Sequence, residues 1–264
     1  MASQSEKGHA KNLANIKLLK EICVQVSSAY SPMNSQLTIA SLTTLISQSQ
    51  TDFMSWKSAV AVFKDLSDKR EIAFEPIDKL VTRVNASVQQ LNEPQQTFND
   101  IQAIVSKIHG STAKIKASIE AKKASSNDTT PVEDPNAEPI DPISTSQQSY
   151  DSIQSNFDSL IKRLQQIPAY APNEVDLQIA SLITTYGILN STNTAAGSAE
   201  IALSKARNQR NLTFYAPQTG LYDISIKIKK YLKSNSATQN SAYKDATKLS
   251  FVKYVQKKKK KKAN

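Results

Sequence analysis

Apolar side chains recur every three or four residues along most of the chain, which is the spacing that places them on one face of an α-helix. The pattern predicts a first helix over 9–28 and a second that begins at residue 34 or 35 and runs to residue 46. Pro32 separates them, because a proline disfavours helical structure at the residue before it. The polar stretch 47–52 predicts a turn or a loose junction after the second helix.

A third helical pattern begins at Phe53 and continues to Phe74. Pro76 is expected to kink or split it, since proline lacks the N–H group that a turn inside a helix uses. The apolar spacing then resumes and continues to Leu91, and a fourth helix is predicted over 98–108. Gly110 is the expected helix stop, because glycine readily adopts the left-handed conformation that ends many helices.

The chain contains an internal repeat with an offset of 140 residues. Such self-similarity means that the fold is built from two copies of one unit. Pro217 corresponds to Pro76 after a one-residue insertion, and Leu221 then corresponds to Leu80. The residue types that recur serve packing, turns and helix ends, and almost none is a catalytic type. The clearest recurring pairs are Tyr30/Tyr170, Pro32/Pro172, Leu37/Leu177, Ile39/Ile179, Leu42/Leu182, Thr44/Thr184, Arg70/Arg210 and Phe74/Phe214.

Two copies of about four predicted helices indicate an all-α fold of two tandem, sequence-related antiparallel helical bundles, since each amphipathic helix must bury one face. We expect a disordered N-terminus at 1–8, a first bundle at 9–123, a linker at 124–146, a second bundle at 147–255 and a tail at 256–264. The repeat by itself leaves open whether the copies form separate bundles or one merged structure.

Composition supports this division of the chain. Glycine is scarce at 5 residues and aromatic residues make up only 6%, which favours helices over sheets. The stretch 124–146 contains four prolines and five acidic residues, a composition that cannot bury a core and predicts an extended linker. The N-terminus lacks the apolar run of a secretory signal, and no stretch approaches the length of a membrane-spanning helix. The expected location is the cytoplasm.

More than half of the net positive charge comes from the end of the chain. The formal net charge is +10, and six of these charges come from Lys257, Lys258, Lys259, Lys260, Lys261 and Lys262. Adjacent lysines bind polyanions through counterion release without reading a sequence, and they are also attracted to anionic membranes. A solubilising terminus without a binding role is the alternative interpretation.

The sequence contains no recognisable catalytic or cofactor-binding cluster. His9 and His109 are the only histidines and Cys23 is the only cysteine, whereas a structural zinc site needs four ligands. Cys23 is therefore expected to be a small core residue. The glycines form no phosphate-binding loop. No cofactor, metal or catalytic residue is predicted.

The repeated Arg70/Phe74 and Arg210/Phe214 pairs carry the one weak indication of a binding site within the repeats. Arginine and phenylalanine four residues apart lie on one helix face. In one interpretation each arginine lies near the last helical carbonyls and each phenylalanine anchors the kink at the following proline. In the other, Arg70 and Arg210 bind an anion.

Three segments together resemble a family of uncharacterised bacterial helical proteins with the same duplicated layout: Gly8-His9-Ala10-Lys11-Asn12, Arg70-Glu71-Ile72-Ala73-Phe74-x-Pro76 and Lys107-Ile108-His109-Gly110. The resemblance covers most of the chain and implies no activity, cofactor or site residue. The second copy departs from the pattern, with Asn211-Leu212-Thr213 where the first has Glu71-Ile72-Ala73. The two halves are therefore not expected to do identical jobs.

The functional expectation is a protein that is not an enzyme and that acts as a structural or assembly component, through self-association or a protein partner. Non-specific nucleic-acid binding through the lysine tail is one alternative. A membrane-active helical bundle is another, although the mean hydropathy of −0.43 argues against it.

Overall fold

The computed structural model describes residues 8–110, 148–235 and 241–253, and these residues form an all-helical structure without strands. The helices of the first repeat are α1 (His9–Gln25), α2 (Ile39–Phe74), α3 (Ile77–Val88) and α4 (Gln95–Ile108). Those of the second repeat are α5 (Tyr150–Leu164), α6 (Ile179–Tyr215), α7 (Leu221–Ser234) and α8 (Ala242–Lys248). Short 3-10 helices lie at Ser27–Ala29, Ser35–Leu37 and Val175–Leu177. The predicted linker 124–146, the tail 256–264 and the predicted disorder of 1–7 lie outside the described residues.

The predicted turn at 47–52 is wrong, because α2 runs without a break through these residues. Gln48 donates a side-chain hydrogen bond of 2.9 Å to Asp52 one turn later. Asp52 is buried and also accepts a hydrogen bond from the Thr213 hydroxyl. Polar residues cost a helix less than about 1 kcal/mol each, and these tertiary contacts offset that cost. A polar run therefore did not mark a helix end here.

The prolines and glycine that were expected to end helices do so. Pro76 immediately precedes α3, and α2 ends at Phe74. Gly110 follows the last turn of α4 with a φ of +69°, and its N–H donates to the carbonyl of Lys107 over 3.3 Å. A side chain would be strained in this conformation, which is why glycine occupies the position.

The repeated tyrosines hold the same turn in both copies. The Tyr30 hydroxyl donates to the carbonyl of Leu37 over 2.6 Å, and the Tyr170 hydroxyl donates to the carbonyl of Leu177 over 2.9 Å. Each bond spans seven residues and ties the start of the turn to the 3-10 helix that precedes a long helix. Burial raises the pKa of both phenols, that of Tyr170 to about 12, so both remain donors at neutral pH.

The chain divides into two compact units whose boundaries differ from those of the repeats. Unit 1 comprises Met1–Lys64 and Ser198–Asn264, and unit 2 comprises Asp65–Gly197. Both boundaries fall inside the long helices α2 and α6. Each unit therefore combines the first part of one repeat with the last part of the other, and the expected tandem bundles at 9–123 and 147–255 are not confirmed.

In unit 1, α1 from the first repeat packs against α7 and α8 from the second. Leu19 and Cys23 of α1 share a buried cluster with Ile224, Ile228 and Leu232 of α7. Burial of each such aliphatic side chain stabilises the fold by about 1.5–3 kcal/mol. Part of the apolar face of α1 is thus covered by helices of the other repeat, and part by α2 of its own repeat.

In unit 2, α5 from the second repeat packs against α4 from the first, which in turn packs against α3. Ile101 and Val105 of α4 share a buried cluster with Phe157 and Leu160 of α5. The pairing of α5 with α4 repeats that of α1 with α8, because α5 corresponds to α1 and α4 to α8. The two units are therefore built by the same rule.

Unit 1 also fixes the segment after α8. The buried side chain of Asn12 donates to the carbonyl of Val252 over 2.8 Å and accepts from its N–H over 3.0 Å. Asn15 donates to the carbonyl of Ser250 over 2.6 Å. Part of the Gly8–Asn12 motif thus has a structural role, in holding the non-helical segment that follows α8.

Candidate ligand-binding grooves

Unit 2 contains an open groove of about 750 Å³ at the start of three elements. One wall is the beginning of α3, the second is the 3-10 helix Val175–Leu177, and the third is the first two turns of α6. We call it the charged groove. Its lining residues are Pro76, Lys79, Leu80, Arg83, Val175, Asp176, Ser181, Thr184 and Thr185.

An ion pair crosses the charged groove. Both terminal nitrogens of Arg83 donate to the carboxylate of Asp176, one of them to Oδ1 over 3.2 Å. The pair raises the pKa of Arg83 and lowers the pKa of Asp176, chiefly through the side-chain hydrogen bonds. Lys79 lies one turn before Arg83 on α3 and has no ion-pair partner among the residues that the structure describes. Lys79, Arg83 and Asp176 give the lining residues a net charge of +1. The negative charge of Glu174, next to Val175, also acts on Arg83 and helps to raise its pKa.

The α6 wall offers hydrogen-bond acceptors. The Thr184 hydroxyl donates to the carbonyl of Ala180 and the Thr185 hydroxyl to that of Ser181, each over 3.0 Å. Because their protons point back along the helix, the hydroxyl oxygens present lone pairs. This wall can accept N–H groups from a ligand.

Unit 1 has a corresponding groove of about 440 Å³, formed by the same positions of the repeat. We call it the neutral groove. Gln36 stands where the charged groove has Asp176, and Ile224 stands where it has Arg83. Thr44 keeps the place of Thr184 and donates to the carbonyl of Ala40 over 3.2 Å. The neutral groove contains no ionised side chain among its described lining residues.

The two arginines predicted as weak anion sites both stack on aromatic rings. The Arg70 guanidinium lies 4.2 Å from the centre of the Tyr150 ring, and that of Arg210 lies 4.2 Å from the centre of the Trp56 ring. Arg70 also donates a long hydrogen bond of 3.4 Å to Asn193. These contacts account for both arginines as packing residues, and anion binding by them stays a prediction.

His9 lies at the centre of an aromatic cluster in unit 1. Its ring centre is 5.1 Å from that of Phe214 and 5.3 Å from that of Tyr215, and both pairs meet edge to face. Phe53 and Trp56 complete the cluster at 6.5 Å each. Burial, and then the nearby positive charge of Arg210, lower the pKa of His9 to about 4. The imidazole is therefore neutral at physiological pH and acts as a packing group.

Cys23 is a core residue, as expected. It is 1% exposed, and burial raises the pKa of its thiol to about 11. A thiol that remains protonated at neutral pH is a poor nucleophile. Among the described residues no group of histidine, cysteine and acidic side chains is arranged to hold a metal ion, and no described helix is long and apolar enough to cross a membrane.

The structure also places together an acid, a histidine and a hydroxyl that sequence reasoning missed. His109 contacts Asp78 through Nδ1 and lies 3.3 Å from the Thr82 hydroxyl through Nε2. No short motif marks this cluster, because its acid and histidine lie 31 residues apart on different elements. The Thr82 hydroxyl donates to the carbonyl of Asp78 over 2.8 Å, so its proton is not directed at the histidine as a nucleophile requires. The cluster ties the end of α4 to the start of α3.

The predicted polyanion site at Lys257 to Lys262 lies outside the described residues. The charged groove was not predicted either, since Arg83 and Asp176 belong to different repeats and form no sequence motif. No family model, curated protein or solved structure matches the chain.

Proposed function

We propose that the protein is a non-enzymatic interaction scaffold whose charged groove in unit 2 docks a partner protein. The observation that carries the proposal is the presence of one groove, formed by the same positions of the repeat, in both units. Of the two grooves, that of unit 2 alone has charged residues among the lining residues that the structure describes. A groove that served packing alone would have no need of a bidentate ion pair and a further lysine at its rim.

The remaining ionisable residues support a binding role over catalysis. Arg70 and Arg210 stack on aromatic rings, and His9 is held neutral inside an aromatic cluster. Cys23 is buried with a raised pKa. These groups stabilise the units, whereas Lys79, Arg83 and Asp176 of the charged groove are exposed.

The proposal includes an organisation of two sequence-related bundles that exchange parts of the repeats. α1 and α5 each pack against helices of the other repeat, in addition to the long helix of their own. Because every unit needs both repeats, the duplication would be retained as a structural requirement. The grooves are then free to diverge without loss of the fold.

Site-specific photo-crosslinking tests the docking proposal. Benzoylphenylalanine is placed at Val175, which is 71% exposed at the rim of the charged groove, and irradiated in the native host. We expect one discrete adduct with a partner protein. The matched control is Ile72, which is 68% exposed in the same unit and is not among the lining residues of the groove. No adduct from Val175, or the same adducts from Ile72, would contradict the proposal.

Nucleic-acid binding is a second candidate function, favoured by the six consecutive lysines 257–262. Binding through them is expected to weaken steeply with salt, since each neutralised phosphate releases a counterion. Retention of double-stranded DNA at low salt should disappear on deletion of the six lysines. Absence of retention by the intact chain would remove this candidate.

A further inference from the structure

We infer that the charged groove recognises an acidic peptide segment in which a carboxylate side chain lies next to an apolar residue. The inference rests on the proposed docking function and names the chemistry of the partner. Charge complementarity, exposed apolar surface and the acceptors on α6 support it.

Charge selects an acidic ligand. Lys79 offers an exposed ammonium group at the groove, and Arg83 offers a planar pair of donors that suits a carboxylate. Arg83 is at present satisfied by Asp176, but both side chains of that pair are about half exposed, at 52% and 53%. Exposed ion pairs contribute only about 0–1 kcal/mol. A ligand carboxylate can therefore share or replace Asp176 at little cost.

Apolar surface beside these charges selects the neighbouring residue. Val175 exposes 71% of its surface on one side of the groove, and Leu80 on the other is half-buried. Covering apolar area stabilises a complex by roughly 25 cal/mol per Å² before the costs of association. An apolar residue of the ligand, next to its acidic residue, would cover the side chains of Val175 and Leu80.

The third wall distinguishes a peptide from a simple anion. Thr184 and Thr185 present acceptor oxygens because their protons are used within α6. Peptide N–H groups are the matching donors, whereas the phosphodiester backbone of DNA presents acceptors only. The volume of about 750 Å³ falls within the usual range for ligand sites, and so has room for a few residues.

Fluorescence anisotropy of the full chain with two labelled peptides tests the inference. The probe is Ser-Glu-Val-Glu-Pro-Ser and its uncharged control is Ser-Gln-Val-Gln-Pro-Ser. Lys79→Glu should weaken binding of the acidic peptide by about tenfold or more, which corresponds to about 1.4 kcal/mol. Asp176→Asn should tighten it about threefold, because it removes the internal competitor for Arg83. Lys230→Glu makes the same change in net charge on an exposed residue of unit 1, outside both grooves, and should leave the affinity unchanged.

Equal binding of the two peptides, no binding of either, or an equal effect of Lys79→Glu and Lys230→Glu would overturn the inference. A deoxythymidine 12-mer tests the nucleic-acid alternative. If it binds the parent chain but not Lys79→Glu, and the acidic peptide does not bind, the inference is also overturned. Lys79→Glu is expected to weaken peptide binding and Asp176→Asn to tighten it. Because unfolding of a variant could only weaken binding, unfolding cannot explain both results. A Val175 adduct that survives Lys79→Glu unchanged would refute the acidic ligand and leave the docking function standing.

Discussion

Units 1 and 2 each stack an arginine from the same position of the repeat on an aromatic ring. The ring, however, comes from a different position of the repeat in each unit. In unit 1 Arg210 stacks on Trp56 of α2, and in unit 2 Arg70 stacks on Tyr150 of α5. The residue that corresponds to Trp56 in the second repeat is Ala196, which cannot stack. The two units thus preserve the packing of the arginine, but a different position of the repeat supplies the aromatic residue.

The grooves show the opposite behaviour. Their backbone elements are alike and both keep one threonine, Thr184 or Thr44. Ile224 and Gln36 stand in the neutral groove at the positions of Arg83 and Asp176. Positions that stabilise the units are kept or compensated, and positions at the groove surface differ in charge. This contrast is the reason to place function in the groove of unit 2.

Truncating the repeated phenylalanines should produce the largest effects and test whether the two units are equally dependent on them. Phe214 is fully buried and contacts His9 and Tyr215, while Phe74 is 8% exposed and contacts Tyr150. We expect Phe214→Ala and Phe74→Ala to lower the free energy of unfolding by about 3–5 kcal/mol, with the larger loss for Phe214. Urea denaturation followed by circular dichroism measures both. A loss below about 1 kcal/mol for either would break the parallel.

The tyrosine turns should respond alike, because the two hydrogen bonds are alike. Tyr30→Phe and Tyr170→Phe each remove a buried donor and leave the carbonyl of Leu37 or Leu177 without it. We expect each to cost about 1–3 kcal/mol, measured by the same denaturation. If one substitution lowers the free energy of unfolding by about 1–3 kcal/mol and the other has no measurable effect, the second turn is dispensable for stability.

Acidification should affect the stability of the two units differently, because unit 2 has no histidine at the position that corresponds to His9. Its folded pKa of about 4 lies below the ordinary 6.5, so between these values the unfolded chain takes up a proton that the folded chain refuses. The free energy of unfolding should therefore fall as the pH drops from 6.5 towards 4, and level off below that. His9→Phe should flatten this part of the profile. Identical pH profiles for the two proteins would contradict the buried neutral histidine.

The smallest effect on stability is expected at the charged groove. The Arg83–Asp176 pair is exposed, so Arg83→Gln should change the free energy of unfolding by less than about 1 kcal/mol. Thermal unfolding of the variant and of the parent provides the measurement. A large loss of stability would mean that the ion pair serves to hold the fold together. The difference in charge between the two grooves would then no longer indicate a binding site.

The sequence alone predicted the all-helical fold and several of the residues at helix boundaries, whereas the second helix begins at Ile39 and not at residue 34 or 35. Pro76 and Gly110 act as helix boundaries because their backbone restrictions are local and need no tertiary context. The continuous α2 could not be predicted, since Asp52 is held in the helix by Thr213, which is far away in the sequence. The groove escaped for the same reason, because Arg83 and Asp176 meet only when parts of different repeats combine.

The most direct test of the account is whether either repeat folds without the other. Fragments 1–123 and 147–264 are prepared separately and then mixed, and helicity and urea unfolding are followed by circular dichroism. Because α1 needs α7 and α8, and α5 needs α4, we expect each fragment alone to lack cooperative unfolding and the equimolar mixture to regain it. Two fragments that each unfold cooperatively, with no gain on mixing, would contradict units built from both repeats.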